Sequence, residues 1–192
     1  MEDSILKKNL QENKELIERM QKDEKLTQLI EDVSKKIIEC YKNGGKTIFF
    51  GNGGSAADAQ HAAAEFIGKY FKDRKALPSI ALTTNTSALT AIGNDYSYDE
   101  VFKRQLEGLL NEGDVVVGIS TSGNSPNVVK ALEYAKNNGA ITVALVGAKK
   151  CRLEEIADIC IKIPSESTPR IQEMHELLLH TICEIVEKEL FP

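Results

Sequence analysis

The 192-residue chain has no tryptophan, five prolines and three histidines, and its aromatic content is 6%. Its four cysteines, Cys40, Cys151, Cys160 and Cys183, form no C-x-x-C pair. Each sits in an apolar or amphipathic context, which points to buried, reduced thiols. There is no excess of basic charge: the net charge is −5, and lysine and arginine are spread along the chain. That argues against a nucleic-acid partner. No apolar run approaches membrane-spanning length, so no membrane association is expected. The opening "MEDSILKKNLQENKEL" lacks the apolar core of a signal peptide, and the expected location is cytoplasmic. What the chain does have is 42% hydrophobic and 28% charged residues, enough to build the core of a single compact domain.

Two amphipathic helices open the sequence, at about Ser4 to Met20 and Lys25 to Lys42; in the second, Leu26, Ile30, Val33, Ile37 and Ile38 recur at helical spacing. "KNGGK" then ends the second helix as a C-cap would. Five apolar segments follow, "TIFF", "SIALTT", "DVVVGIS", "ITVALVG" and "ICIKIP", with helical stretches between them. Several are continuously apolar, as strands buried on both faces are. The alternation predicts an α/β fold of three layers, a five-stranded parallel sheet flanked by helices, closed by a long helix from about Pro169 to Leu190. Residues 1–45 read as an oligomer-forming helical pair and 46–192 as the α/β unit.

In such a sheet the ligand site lies in the loops after the strands. The first three loops, "GNGGS", "TNTSALTAIGND" and "STSGNSPN", lack bulk and are rich in Gly, Ser, Thr and Asn, whereas the fourth, "GAKKCRLEE", is charged. Ser120, Thr121, Ser122 and Ser125 place four hydroxyls around Gly123, with Ser125 ahead of Pro126 as a helix N-cap. Hydroxyls and free amides at a helix start favour an anion. Each loop alone reads as an ordinary polar turn; two such loops at adjacent strand ends favour a phosphorylated ligand. "GNGGS" has neither G-x-G-x-x-G spacing nor a G-K-[ST] ending, which disfavours NAD binding and nucleotide hydrolysis.

"GNGGSAADAQHAAAEF" continues the first loop into an alanine-rich helix that carries His61 and Glu65 four residues apart, on one face. A surface pair or a satisfied buried histidine is the plain alternative, but small neighbours imply close packing, where an ionisable pair needs a reason. In the last helix Gln172, Glu176 and His180 form one polar stripe, while His175 falls off it as a surface or interface group. Glu and His together suit proton transfer beside a carbonyl. His61, Glu65, Gln172 and His180 also suit zinc, although ~12 Å of helix rise separates Gln172 from His180.

Together "GNGGSAADAQHAAAEF", "TAIGNDYSYDEVF", "GISTSGNSPNVVKAL" and "PRIQEMHELLLHTICEIVE" resemble the phosphoheptose isomerases of the sugar isomerase (SIS) domain superfamily, over nearly the whole chain. The resemblance implies a flavodoxin-like sheet, a homotetramer with active sites between subunits, and zinc. It implies that Asn52, Gly53, Gly54, Ser55, Asn94, Asp95 and Gln172 bind substrate and that Ser120, Thr121, Ser122 and Ser125 hold its phosphate. Glu65 and His180 match the acid–base pair, Glu65 also contacting substrate, and His61, Glu65, Gln172 and His180 the zinc ligands. The "GAKKCRLEE" loop departs from the glycine-rich turn of many relatives. A similar family member acts instead as an adaptor for the replication initiator and shares the ending "LFP", but it lacks the glutamate and last histidine found here at Glu65 and His180.

Overall fold

The computed structural model describes residues 4–192. Strands β1 (Thr47–Gly51), β2 (Ser79–Ala81), β3 (Val115–Ser120), β4 (Ile141–Val146) and β5 (Ile159–Lys162) form one parallel sheet in the order β2-β1-β3-β4-β5. This is the flavodoxin-like order, with its topological switch between β1 and β3. The register sets Gly51 against Ile119, so the loops after β1 and β3 leave the sheet edge side by side.

The helices are α1 (Ile5–Gln21), α2 (Glu24–Lys42), α3 (Gly54–Ile67), α4 (Thr86–Asp95), α5 (Lys103–Leu109), α6 (Pro126–Asn137), α7 (Arg152–Ile156) and α8 (Thr168–Leu190). Side chains alternate between the faces of β1. Phe49 joins the core formed with α2, α3 and α8, while Ile48 and Phe50 join the one formed with α5, α6 and α7. Both faces are therefore covered, which is why β1 and β3 are buried at every position and carry no alternating polar pattern.

Two segments differ from expectation. "TNTSALTAIGND", expected as a loop, is mostly α4, because the Asn85 side chain accepts from the Ala88 amide at 3.0 Å and caps a helix. β2 accordingly stops at Ala81, short of the "SIALTT" run. The four cysteines are all free, as expected. Burial pushes the thiols of Cys40, Cys160 and Cys183 up, to about 12 for Cys160, which suppresses the reactive thiolate.

His175 is fully buried instead of lying at the surface. Its Nε2–H donates a long hydrogen bond to the Val146 carbonyl at 3.4 Å, joining α8 to the end of β4. Burial lowers its pKa to about 4, against the opposing pull of the Val146 carbonyl, so the ring is neutral. An unfolded histidine titrates near 6.5, so between that pH and about 4 the unfolded chain binds the extra proton and acid destabilises the fold. Asp58, with its pKa raised to about 6, acts in the opposite sense, so the comparison must be made against a His175 variant. Between about pH 7 and pH 5, wild type is expected to lose about 2 kcal/mol more stability than His175→Asn. Urea unfolding at both pH values checks this, and parallel losses in the two proteins would refute it.

Candidate active site

The chain leaves β1 at Gly51 and enters α3 within three residues, through Asn52 and Gly53. Gly54 opens the helix, and its missing Cβ leaves room for the Gln172 side-chain amide of α8 to lie against it. Ser55, in the first turn, is buried, and its amide bonds the Asn52 carbonyl at 3.0 Å. Asn52 and Asn127 exchange reciprocal amide hydrogen bonds of 2.9 Å, and the Tyr98 hydroxyl donates to Asn52 at 3.1 Å. This lock joins the β1 loop to the start of α6. Sequence reasoning missed Asn127 and Tyr98; the only local signal was that Asn127 follows the serine loop.

After β3, the Ser120 hydroxyl lies 3.0 Å from that of Ser125 and 3.4 Å from that of Ser122. Gly123 takes φ +64°, where an added Cβ would also strike Cys151. Ser125 occupies the N-cap position of α6 ahead of Pro126, but no backbone amide donates to its hydroxyl. The capping role is thus corrected: the hydroxyl faces Ser120, while the Val128 amide is taken by the Ser125 carbonyl and the Asn127 side chain, each at 3.0 Å. Thr121 and Ser122 line a neighbouring cavity of about 190 Å³ with Lys149, Ser165 and Thr168. Asn94 and Asp95 end α4 and bond each other at 2.8 Å; among the described residues, no other hydrogen bond ties their side chains to the site.

The second half of the site lies where α3 and α8 run side by side. Gln172 is level with Gly54, and His180 is level with His61, so the helices point the same way. This arrangement brings together His61, Glu65 and His180 of the expected residues, but seats Gln172 two helical turns away at the glycine loop. Glu176 joins the cluster. His61 Nε2 lies 3.0 Å from Glu65 Oε1 and 3.2 Å from His180 Nε2, while its Nδ1 lies 2.8 Å from Glu176 Oε1. Glu176 is also 3.5 Å from His180 Nε2, and the Tyr70 ring lies 6.0 Å from the His180 ring, centre to centre.

Asp58, one turn before His61, has its carboxyl pushed up to about 6 by burial first and then by the Glu176 charge, with His61 opposing. One oxygen each of Asp58 and Glu176 is buried without a hydrogen-bond partner. Three carboxyls therefore surround two imidazoles that turn nitrogens toward one another. Carboxylates only accept, and a neutral imidazole has one proton to give. Such a donor set fits a divalent cation, and His61, Glu176 and His180 each offer a ligand atom within 4.8 Å of the others.

Further back, Arg74 forms a buried ion pair with Glu187 of α8 at 2.9 Å. Its guanidinium also donates to the carbonyls of Glu65 and Phe66, at 2.9 and 2.7 Å, where α3 ends. The backbone beneath Glu65 is thereby tied to α8, the helix that carries His180.

A family model described as the SIS domain matches residues 10–147. The phosphoheptose isomerase of Sulfurimonas denitrificans is 53% identical over 186 residues, covering 97% of this chain and 95% of that protein. Among solved structures, a phosphoheptose isomerase from Neisseria gonorrhoeae superposes with a TM-score of 0.87 at 41% identity, covering 96% of this chain and all (100%) of the other. One from Francisella tularensis gives 0.91 at 32% identity, covering 95% and 96%. No helix among the described residues is long and apolar enough to cross a membrane. The chain belongs to the SIS domain family and, within it, to the phosphoheptose isomerases, a family of phosphosugar isomerases.

Proposed function

We propose that this protein converts sedoheptulose 7-phosphate to D-glycero-D-manno-heptose 7-phosphate through an enediol, in the cytoplasm, supplying a heptose for glycan biosynthesis by way of ADP-heptose. The observation that carries this reading is the convergence of Glu65, His61 and His180 on adjacent helices. Ser120, Thr121, Ser122 and Ser125 would hold the phosphate at the start of α6. Asn52, Gly53, Gly54, Ser55, Asn94, Asp95 and Gln172 would bind the sugar.

Glu65 removes a proton from C1 of the ketose while the C2 carbonyl oxygen takes one, giving the enediol. The O1 hydroxyl then loses its proton, C2 gains one, and the aldehyde forms at C1. His180, beside Glu65's partner His61, serves as the second acid–base group that exchanges protons with the oxygens. Zinc would be held by His61, Glu65 and His180; Gln172, two helical turns away at the glycine loop, would join the set only as a ligand from a different subunit. Once bound it would polarise the two substrate oxygens.

His61 and His180 are partly exposed, with side-chain exposures of 47% and 37%, which suits an active site covered by a second subunit. Residues 1–45 would supply the contacts of a homotetramer. α1 exposes Ile5, Leu6 and Leu10, and an apolar groove of about 300 Å³ runs between α1, α2 and α8 along Ile17, Leu26 and Ile185.

Incubation with sedoheptulose 7-phosphate in heavy water, with and without a chelator, is expected to yield the aldose carrying deuterium at C2. Activity should fall in the chelator arm and return with zinc. Absence of turnover even after zinc is restored would refute the isomerase reading.

A further inference from the structure

The shortest contact in the cluster involves a residue outside the acid–base pair: His61 Nδ1 lies 2.8 Å from Glu176 Oε1. The other edge of the same ring, at Nε2, faces Glu65 Oε1 at 3.0 Å and His180 Nε2 at 3.2 Å. A neutral ring cannot donate to a carboxylate on both sides, because it carries one proton. If that proton sat on Nε2, Nδ1 would turn a lone pair toward Glu176, and Glu65 and His180 would compete for a single hydrogen. With the proton on Nδ1, Glu176 receives a charge-assisted hydrogen bond and the Nε2 lone pair points to Glu65 and His180, where a cation would be shared.

We propose that Glu176 is a positioning residue that fixes His61 as the Nδ1–H tautomer and aims Nε2 into the metal site. The inference rests on the metal-assisted reading above. Three features of α8 support it. Glu176 is one helical turn before His180, so a single rigid helix sets both the orienting carboxylate and a ligand. Its side chain is 27% exposed, so water competes only weakly for Oε1. Its other oxygen is buried without a partner, which leaves the carboxylate's negative charge unscreened beside the ring. A carboxylate behind a metal-bound histidine typically changes metal affinity by 10–100-fold.

The test combines metal affinity with the protonation pattern of the ring. Zinc affinity is measured by competition against a chromophoric chelator for wild type, Glu176→Gln and Glu176→Ala. Long-range proton–nitrogen NMR on histidine-labelled, zinc-loaded protein reads which His61 nitrogen carries hydrogen. Wild type is expected to hold hydrogen on Nδ1, and E176A to lose about 10–100-fold in affinity together with that protected Nδ1–H signal. E176Q, whose amide oxygen can still accept from Nδ1–H, is expected to keep the tautomer and lose less affinity. Wild type bound to zinc through Nδ1, unchanged affinity in E176A, or no zinc binding at all would each overturn the proposal. A larger affinity loss with the tautomer intact would also overturn it, making Glu176 a ligand itself. None of these readouts uses the sugar, so failure of the isomerase reading shows separately as absent turnover by wild type restored with zinc.

Discussion

Replacing Glu65 with glutamine is expected to lower kcat by about 10²–10⁴-fold, the range typical of a lost general base, with little change in KM or thermal midpoint. Glutamine matches the shape of glutamate and fits the same place on α3. The Glu65 backbone carbonyl stays held by Arg74 whatever the side chain, so the helix end has no reason to move. What disappears is a carboxylate able to take the C1 proton. The amide oxygen can still face His61, so metal content should be measured alongside turnover to separate loss of the base from loss of the cation. Near-normal turnover in a metal-replete variant would remove Glu65 from the mechanism. If turnover and zinc are lost together, with turnover recovering at high zinc concentration, Glu65 is a ligand first and a base second.

The second large effect lies in the clamp behind the site. Arg74→Ala is expected to destabilise the protein by about 3–5 kcal/mol, because it leaves the Glu187 carboxylate buried without its cation. The Arg74 and Glu187 side chains are 3% and 2% exposed, so water cannot substitute for the missing partner. Glu187 also accepts the amides of Phe71 and Lys72, at 2.9 and 3.1 Å, and so closes the segment that follows α3. Removing both charges, as Arg74→Met with Glu187→Leu, spares the buried charge but strands those two amides, so only partial recovery is expected. Denaturant unfolding of the two variants measures this. Losses below about 1 kcal/mol in R74A would show that the pair is dispensable.

The same pair shapes the acid limb of stability. Burial raises the Glu187 carboxyl, but the Phe71 and Lys72 amides and the Arg74 guanidinium outweigh it and hold the group below its ordinary value. Its folded pKa lies under the unfolded one. Its contribution is therefore complete above the ordinary glutamate range and is lost as pH falls through the folded value. His175 acts in a higher window, between about 6.5 and 4, so the two groups are separable along one pH series.

Most of the architecture was legible in the chain. Continuous runs such as "VVVGIS" and "ITVALV" lie buried on both faces, because parallel strands between two helical layers have no polar side to show. The α4 segment was misread because its capping asparagine sits in a run of threonines and serines that resembles a loop. His175 was misplaced because helical periodicity ranks faces of one helix and says nothing of the strand end that covers a given face.

The candidate site divides in the same way. Strand–loop–helix order alone determined that the glycine and serine loops lie at the carboxyl edge of the sheet; the β1–β3 pairing that sets them side by side is a matter of tertiary structure. The i, i+4 spacing alone determined that His61 shares a face with Glu65 and Glu176 with His180. Only the tertiary structure decided which residues of α3 meet which of α8. Gly54 lets Gln172 come close at one end, the Arg74–Glu187 clamp ties the other, and between them Glu176 lies against His61. The physical reason is that spacing along a helix fixes angles about its own axis, whereas the offset between two helices is set by contacts far apart in sequence.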